Sequence, residues 1–416
     1  MTFSPHPRSV CALALCLGLA ACATNTPAPV REQPPTPAPS ASPSVSPAAL
    51  PAAASPPPVK ARVAAPPVSV GVSEGRALVA RRLPAGLADR DGWATDIYTA
   101  FASLHIAPSA ENICAVVAVI EQESGFHADP PVAGLGAAAF REIETRRRAA
   151  AVPQWALDAV LKLPSSDGRS YRQRIAQARS ERDLSETFED FIGRVPLGRQ
   201  LLGNHNPVHT AGAMQVAIDF AEQQVRARRY PYLHNGDWRA EMFSRRGGLY
   251  FGIAFLLDYP AAYDQPIYRF ADFNSGRYSS RNAAFQQAVA LLSGTRLAAD
   301  GDLLRYEGAT PRTDPPSATQ LALRSLAPRL QLGREAIDAD LLLEKTAEFD
   351  GSRLYRRVFA LADAARGTPL PRALLPGIVL KSPKIQRRLT TAWFAERVDA
   401  RMHRCLALAP ETALPR

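Results

Sequence analysis

The sequence predicts a mainly α-helical protein. Apolar residues recur at three- and four-residue spacing through most of the chain. Helix-capping residues stand in front of those runs, and no series of alternating strands accompanies them. Hydrophobic residues make up 46% of the 416 positions, enough for a sizeable core.

The N-terminus reads as a targeting segment. Arg8 supplies a basic start, residues 10–17 an apolar run too short to span a bilayer, and Leu19-Ala20-Ala21-Cys22 a small-residue end. This segment, 1–22, resembles bacterial lipoprotein signals, which implies cleavage before Cys22 and its acylation. Ala23 stands where inner-membrane retention would place Asp, so the resemblance implies the outer membrane, with the chain facing the periplasm. Residues 23–72 are rich in Pro, Ala, Ser and Thr, and should form an extended tether rather than a core. Cys11 and Cys16 leave with the signal and Cys22 carries lipid. That leaves Cys114 and Cys405 in an oxidising compartment, where a disulfide between them is expected.

The folded region is expected as a domain at 73–308, with an insertion at 127–210, followed by a helical C-terminal region at 309–416 packed on it. Trp93, Ile97, Phe101 and Leu104 mark an amphipathic helix. Segment 109–123 carries Ile113, Val116, Val117 and Ile120 at helical spacing. Cys114, Ala115, Ala118 and Val119 cover the other side, so that helix should be buried. Pro153 suits the first turn of a helix at 154–163. Asp183 and Glu186 read as a capping box for a helix ending near Ile192. Further helices are expected at 213–228, 247–257, 279–292, 317–326 and 352–365. A last one runs from Ser382 as N-cap and Pro383 to about Cys405. A short hairpin fits 296–306.

The formal net charge is +10, from 49 Lys and Arg against 39 Asp and Glu. Outside the cytoplasm such a surface suits anionic envelope polymers and lipid head groups, not nucleic acid. The densest basic runs, Arg146 to Arg148 and Arg226, Arg228 and Arg229, read as solvated helix faces. Gly71-Val72-Ser73-Glu74-Gly75 fits a serine-hydrolase pattern but follows a Pro-rich tether instead of a strand, so Ser73 is read as an N-cap. His205 and His209 have zinc-ligand spacing, yet Pro207 between them breaks the helix that would align them. Neither a metal nor a cofactor is expected, and the chain should be a monomer.

Glu123 is the candidate catalytic group. It closes the apolar helix, where desolvation and the helix dipole both favour the neutral acid. A protonated carboxyl can give its proton to a glycosidic oxygen. Glu121 flanks the apolar stripe equally well, so periodicity alone leaves both open. Three segments then follow one another: Glu123-Ser124-Gly125-Phe126, Gly212-Ala213-Met214-Gln215 and Ala271-Asp272-Phe273-Asn274-Ser275-Gly276. Together they resemble the Glu-Ser-x-Phe, Gly-Leu-Met-Gln and Ala-Tyr-Asn-Ala-Gly motifs of lytic transglycosylases in the lysozyme-like superfamily. The apolar helix from Gly247 resembles the one between the last two motifs there. The likeness covers 112–292.

That resemblance selects Glu123 over Glu121 and implies a glycan lyase acting on peptidoglycan. Ser124, Gly212, Met214, Gln215, Phe273 and Asn274 would bind the glycan. It also implies a single acid/base group, with the substrate's own acetamido and 6-hydroxyl groups completing the chemistry. Phe273 replaces the family's Tyr, Ala213 its Leu, and the stretch between the first two motifs is unusually long. The whole architecture resembles the YaiW-type outer-membrane lipoproteins, a family of unknown function. That likeness implies a non-catalytic alternative, binding glycan or peptide in envelope maintenance or peptide uptake. A goose-type hydrolase would need Asp272 or Glu142 to activate water.

Overall fold

The computed structural model describes residues 71–307, 310–380 and 389–408. The signal, Cys22 and most of the tether lie outside those residues. The fold is mainly helical, as expected, with only short antiparallel strand pairs among the described residues.

The first helices are α1 (Val72–Arg82), α2 (Arg90–Ser103) and α3 (Ala110–Glu123). Gly71, not Ser73, caps α1, while Ser109 caps α3 by accepting from the Asn112 backbone, as its sequence requires. The inserted stretch folds into α4 (Leu135–Ala149), α5 (Gln154–Leu161), α6 (Tyr171–Gln177), α7 (Glu181–Arg194) and α8 (Gly198–Leu202). Pro153 is the N-cap of α5 rather than its first residue. The capping box of α7 is formed by Ser180 and Asp183, one turn ahead of the expected pair. The basic run on α4 is neutralised locally: Arg146 pairs with Glu142 and Arg147 with Glu144.

Residues 213–217 are not helical. They belong to a hairpin of β1 (Thr210–Ala211) and β2 (Val216–Ala217), and α9 (Ile218–Ala227) follows it. The short α10 (Trp238–Met242) leads into α11 (Arg245–Leu257), then α12 (Pro266–Ser275) and α13 (Ser279–Ser293). The next hairpin pairs β3 (Arg305–Glu307) with β4 (Thr310–Arg312), overlapping only the end of the expected 296–306. Beyond it lie α14 (Ala318–Ser325), α15 (Ala327–Leu330), α16 (Arg334–Leu341) and α17 (Arg353–Arg366). Ser317 and Ser352, the first residues of helices expected there, are the caps of α14 and α17, whereas α16 had no strong apolar period to announce it. Ser382 and Pro383 lie outside the described residues. The last helix, α18 (Thr391–Ala407), starts after β5 (Val379–Leu380) pairs with β6 (Leu389–Thr390), and Thr390 is its cap.

Two large cores result. The first gathers α1 to α3, the β1–β2 hairpin, α9, α11, α12 and α18. The second gathers α13, α14, α16 and α17. The C-terminal region therefore divides. Its early helices build their own core with α13, and its last helix returns to the first core. Helix α18 runs antiparallel along α3, since Cys405 bonds Cys114 while Arg401 lies 3.1 Å from Glu121. The expected disulfide joins residues 291 positions apart. Arg82 closes the far end of α18 by donating to the carbonyls of Cys405 and Leu408, each at 2.8 Å.

The second core is pinned by polar groups on α13, which is buried on most sides. Arg281 donates to the Glu344 and Thr346 carbonyls and to Asp350. Glu344 is fully buried and accepts from the Leu303 and Leu304 backbone and from the Tyr306 hydroxyl. Burial pushes its carboxyl up to about 7, against hydrogen bonds from Tyr306 and Leu303 that favour the charged form.

Two outcomes follow. Replacing both Cys114 and Cys405 by Ala should cost about 3–5 kcal/mol in chemical denaturation, because a very long loop is released in the unfolded chain. An unchanged midpoint would show that α18 is held without the bond. For Glu344 the raised value means that its stabilising contribution is complete below its ordinary 4.5 and is lost as pH rises through about 7. Tyr306→Phe removes a donor to the charged form. It should therefore destabilise more at pH 8 than at pH 5, by about 1 kcal/mol; equal losses at both pH values would contradict this.

Candidate functional site

The end of α3 is shaped by its own backbone. The Ser124 and Gly125 amides both donate to the Ile120 carbonyl at 3.0 Å, and the Ser124 hydroxyl donates to the same oxygen at 3.1 Å. Ser124 thus closes its helix, with its hydroxyl turned back from the direction of the chain. Gly125 and Phe126 follow with φ of +57° and +65°, reversing the chain. Phe126 then packs edge-on against Trp93, with ring centroids 5.5 Å apart. Glu123 is left as the last helical residue, half-buried. Glu121 is separated from it by surroundings: it is exposed and lies 3.1 Å from Arg401 and 3.8 Å from Arg404. Its charge belongs to the α3–α18 contact.

The second segment is the turn of the β1–β2 hairpin. Gly212 opens it at φ +79° and Gln215 closes it at φ +52°. The Gln215 side chain is held at both ends: its Nε2 donates to the Gly212 carbonyl at 3.1 Å and its Oε1 accepts from Thr210 Oγ1 at 3.3 Å. Met214 is fully buried against Gly252 of α11. A Cβ on Gly248 would stand 2.8 Å from the Cα of Gly212, and one on Gly252 would stand 2.5 Å from the Met214 sulfur. The glycines of α11 therefore exist to let the turn lie directly on the helix.

The third segment ends α12. Asp272 is fully buried and accepts from the Tyr259 and Tyr263 hydroxyls and from the Tyr278 and Ser280 amides, at 2.6–3.1 Å. Burial raises its pKa while those donors pull it back. A carboxylate so saturated is a structural clamp joining α12 to α13, not a water activator. Glu142 is exposed on α4 and bonded to Arg146 at 2.7 Å, so neither residue weighed for a hydrolase stands as a free base. Phe273 is half-buried against Phe255 at 5.5 Å. Asn274 accepts from the Thr391 hydroxyl, at the start of α18, at 3.0 Å.

The three segments therefore converge on the first core. Ala213 and Met214 lie in the same buried cluster as Ile113 to Ile120 and Ala271, with Phe126 and Phe273 packed on it. Thr391 was not foreseen, because a threonine at a helix start signals only a cap. A cavity was missed too. It has a volume of about 830 Å³, lies among α4, α5, α6 and α7, and reaches Thr210 at the base of the hairpin. Glu123 is not part of its wall. His205 and His209 gather no cluster able to hold a metal among the described residues.

The family described as "Protein of unknown function (DUF1615)" matches residues 86–408, which takes in the second core, the first core without α1, the insertion and all three segments. The chain belongs to the DUF1615 family. A relative in Escherichia coli (strain K12), "Uncharacterized protein YaiW", is 48% identical over 329 residues, covering 79% of this chain and 88% of the relative. No solved structure matches the chain. The DUF1615 match begins within the loop before α2 and ends at the last described residue of α18's C-terminal turn, so the family spans the disulfide as well. No helix among the described residues is long and apolar enough to cross a membrane.

Gly248→Ala tests the seat of the hairpin turn. The added methyl meets backbone at 2.8 Å, not a flexible side chain, so overpacking of about 1–3 kcal/mol is expected in thermal or urea unfolding. A substitution on the exposed face of α11's neighbour α10 should cost far less. Wild-type stability in Gly248→Ala would mean that the turn is free to lift away.

Proposed function

We propose that this chain is a lipid-anchored envelope protein whose first core forms a lysozyme-like domain that cleaves peptidoglycan glycan strands. On this reading Cys22 carries the anchor and the tether lets a monomeric folded part reach the wall from the outer membrane. The observation that carries the proposal is that three short segments, in one order, border one buried core: the Glu123 end of α3, the Gly212–Gln215 turn and the end of α12 with Asn274.

Glu123 would act twice. Its carboxyl gives a proton to the glycosidic oxygen as the bond to C1 breaks. The resulting carboxylate then takes the proton of the sugar's own 6-hydroxyl as that oxygen closes on C1, leaving a 1,6-anhydro end. Gln215 is pre-set by Thr210 and Gly212 to present its amide edge to the glycan. Thr391 fixes the Asn274 oxygen and leaves its amide hydrogens to donate to substrate. Phe273 in the place of the family's Tyr supports the second reading, a groove that binds glycan or peptide without cleaving it.

The products decide between them. Purified protein from residue 73 onward is incubated with peptidoglycan and the fragments are weighed by mass spectrometry. Anhydro-muramyl ends that fall about 10²–10⁴-fold in Glu123→Gln are expected. Reducing ends would point to hydrolysis instead. Intact strands that sediment with the protein would leave only the binding role.

A further inference from the structure

Helices α4 to α8 bury little on their own. Their apolar contacts fall into two small clusters, one around Leu157, Leu161, Tyr171 and Ile175 and one around Ile192 and Leu202. Between these helices and the loop at 205–210 lies the cavity of about 830 Å³, within the range of about 300–1,000 Å³ of small-ligand sites. Leu135, Val160, Leu161, Leu184, Phe188 and Val208 are among the apolar residues of its wall. Such a wall gives water few partners, and water held there without partners is unfavourable.

The polar groups of the wall are few and unequal. Glu142 is answered by Arg146 at 2.7 Å. Glu181 stands in the first turn of α7, where the helix dipole favours an acid. Two groups are left over. Arg141 is exposed at the rim and has no ion pair among the described residues. The Nδ1 of His205 is shut off from solvent and has no hydrogen-bond partner. A buried nitrogen without a partner is costly, and a ligand oxygen would relieve it. Both groups suit an acceptor oxygen, and the walls suit a hydrocarbon chain.

We propose that this cavity binds a single-chain amphiphile with an acidic head, its acyl chain between the Leu and Phe walls and its head oxygens met by Arg141 and His205. The site stands apart from Glu123 and does not require glycan cleavage. An acyl chain could come from a free fatty acid or from a lysophospholipid, and the head group separates the two.

The test uses the mature chain and a fluorescent anthroyloxy-palmitate as probe, displaced by palmitate, hexadecanol or palmitoyl-lysophosphatidylglycerol. Saturable binding at one site is expected, with palmitate displacing the probe about tenfold better than the alcohol, as a charge-assisted contact implies. Stronger displacement by the lysophospholipid would assign the head to a membrane lipid. Arg141→Gln, at an exposed position, should keep the fold and erase the preference of acid over alcohol. Ala138→Trp, on the wall, should abolish binding while circular dichroism stays helical. No saturable palmitate binding, equal affinity for acid and alcohol in the wild type, or full binding by a folded Ala138→Trp would overturn the proposal. So would displacement by an apolar peptide but not by palmitate.

Discussion

Residues Ile113 to Ile120 of α3 are all buried, one after another, so this helix has no solvent face along its middle. Each large aliphatic side chain it hides contributes about 1.5–3 kcal/mol. That gain exists only if neighbours seal every side. The hairpin turn and α11 close part of the surface, and α18 closes another part from the far end of the chain. The disulfide, the Arg401–Glu121 pair and the Arg82 cap on the α18 carbonyls all secure this last seal.

The same requirement explains the candidate site. A helix sealed along its length can present a functional side chain only where it ends. At that end the chain reverses through two left-handed residues, and Glu123 stays half-buried. The turn carrying Gln215 lies on α11 only because glycines there let backbone touch backbone. Asn274, at the end of α12, is held in place: Asp272 beside it accepts from four donors and Thr391 donates to its amide oxygen. Buried polar groups here fix geometry more than they add stability.

The insertion follows another logic. It interrupts the chain between Phe126 and Thr210 and touches the first core mainly through Val208 and Leu184, while its helices leave a space between them. The second core, tied by Arg281 and Glu344, holds α13 and so supports α12 from behind.

The helical class, the buried character of α3, its Ser109 cap and the Cys114–Cys405 pairing could be read from residues alone, because spacing, capping chemistry and cysteine elimination are local or countable signals. Three features could not. Residues 213–217 looked helical in composition, but the positive φ at Gly212 and Gln215 and the glycine seat on α11 make a hairpin, and such contacts are not local. Periodicity left Glu121 and Glu123 equal, and only the folded chain sets Glu121 in the open beside Arg401, some 280 positions later, and Glu123 half-buried at the helix end. The cavity depends on how four short helices lean together, which no single segment encodes. Sequence sets which faces must be covered; only the folded chain decides what covers them.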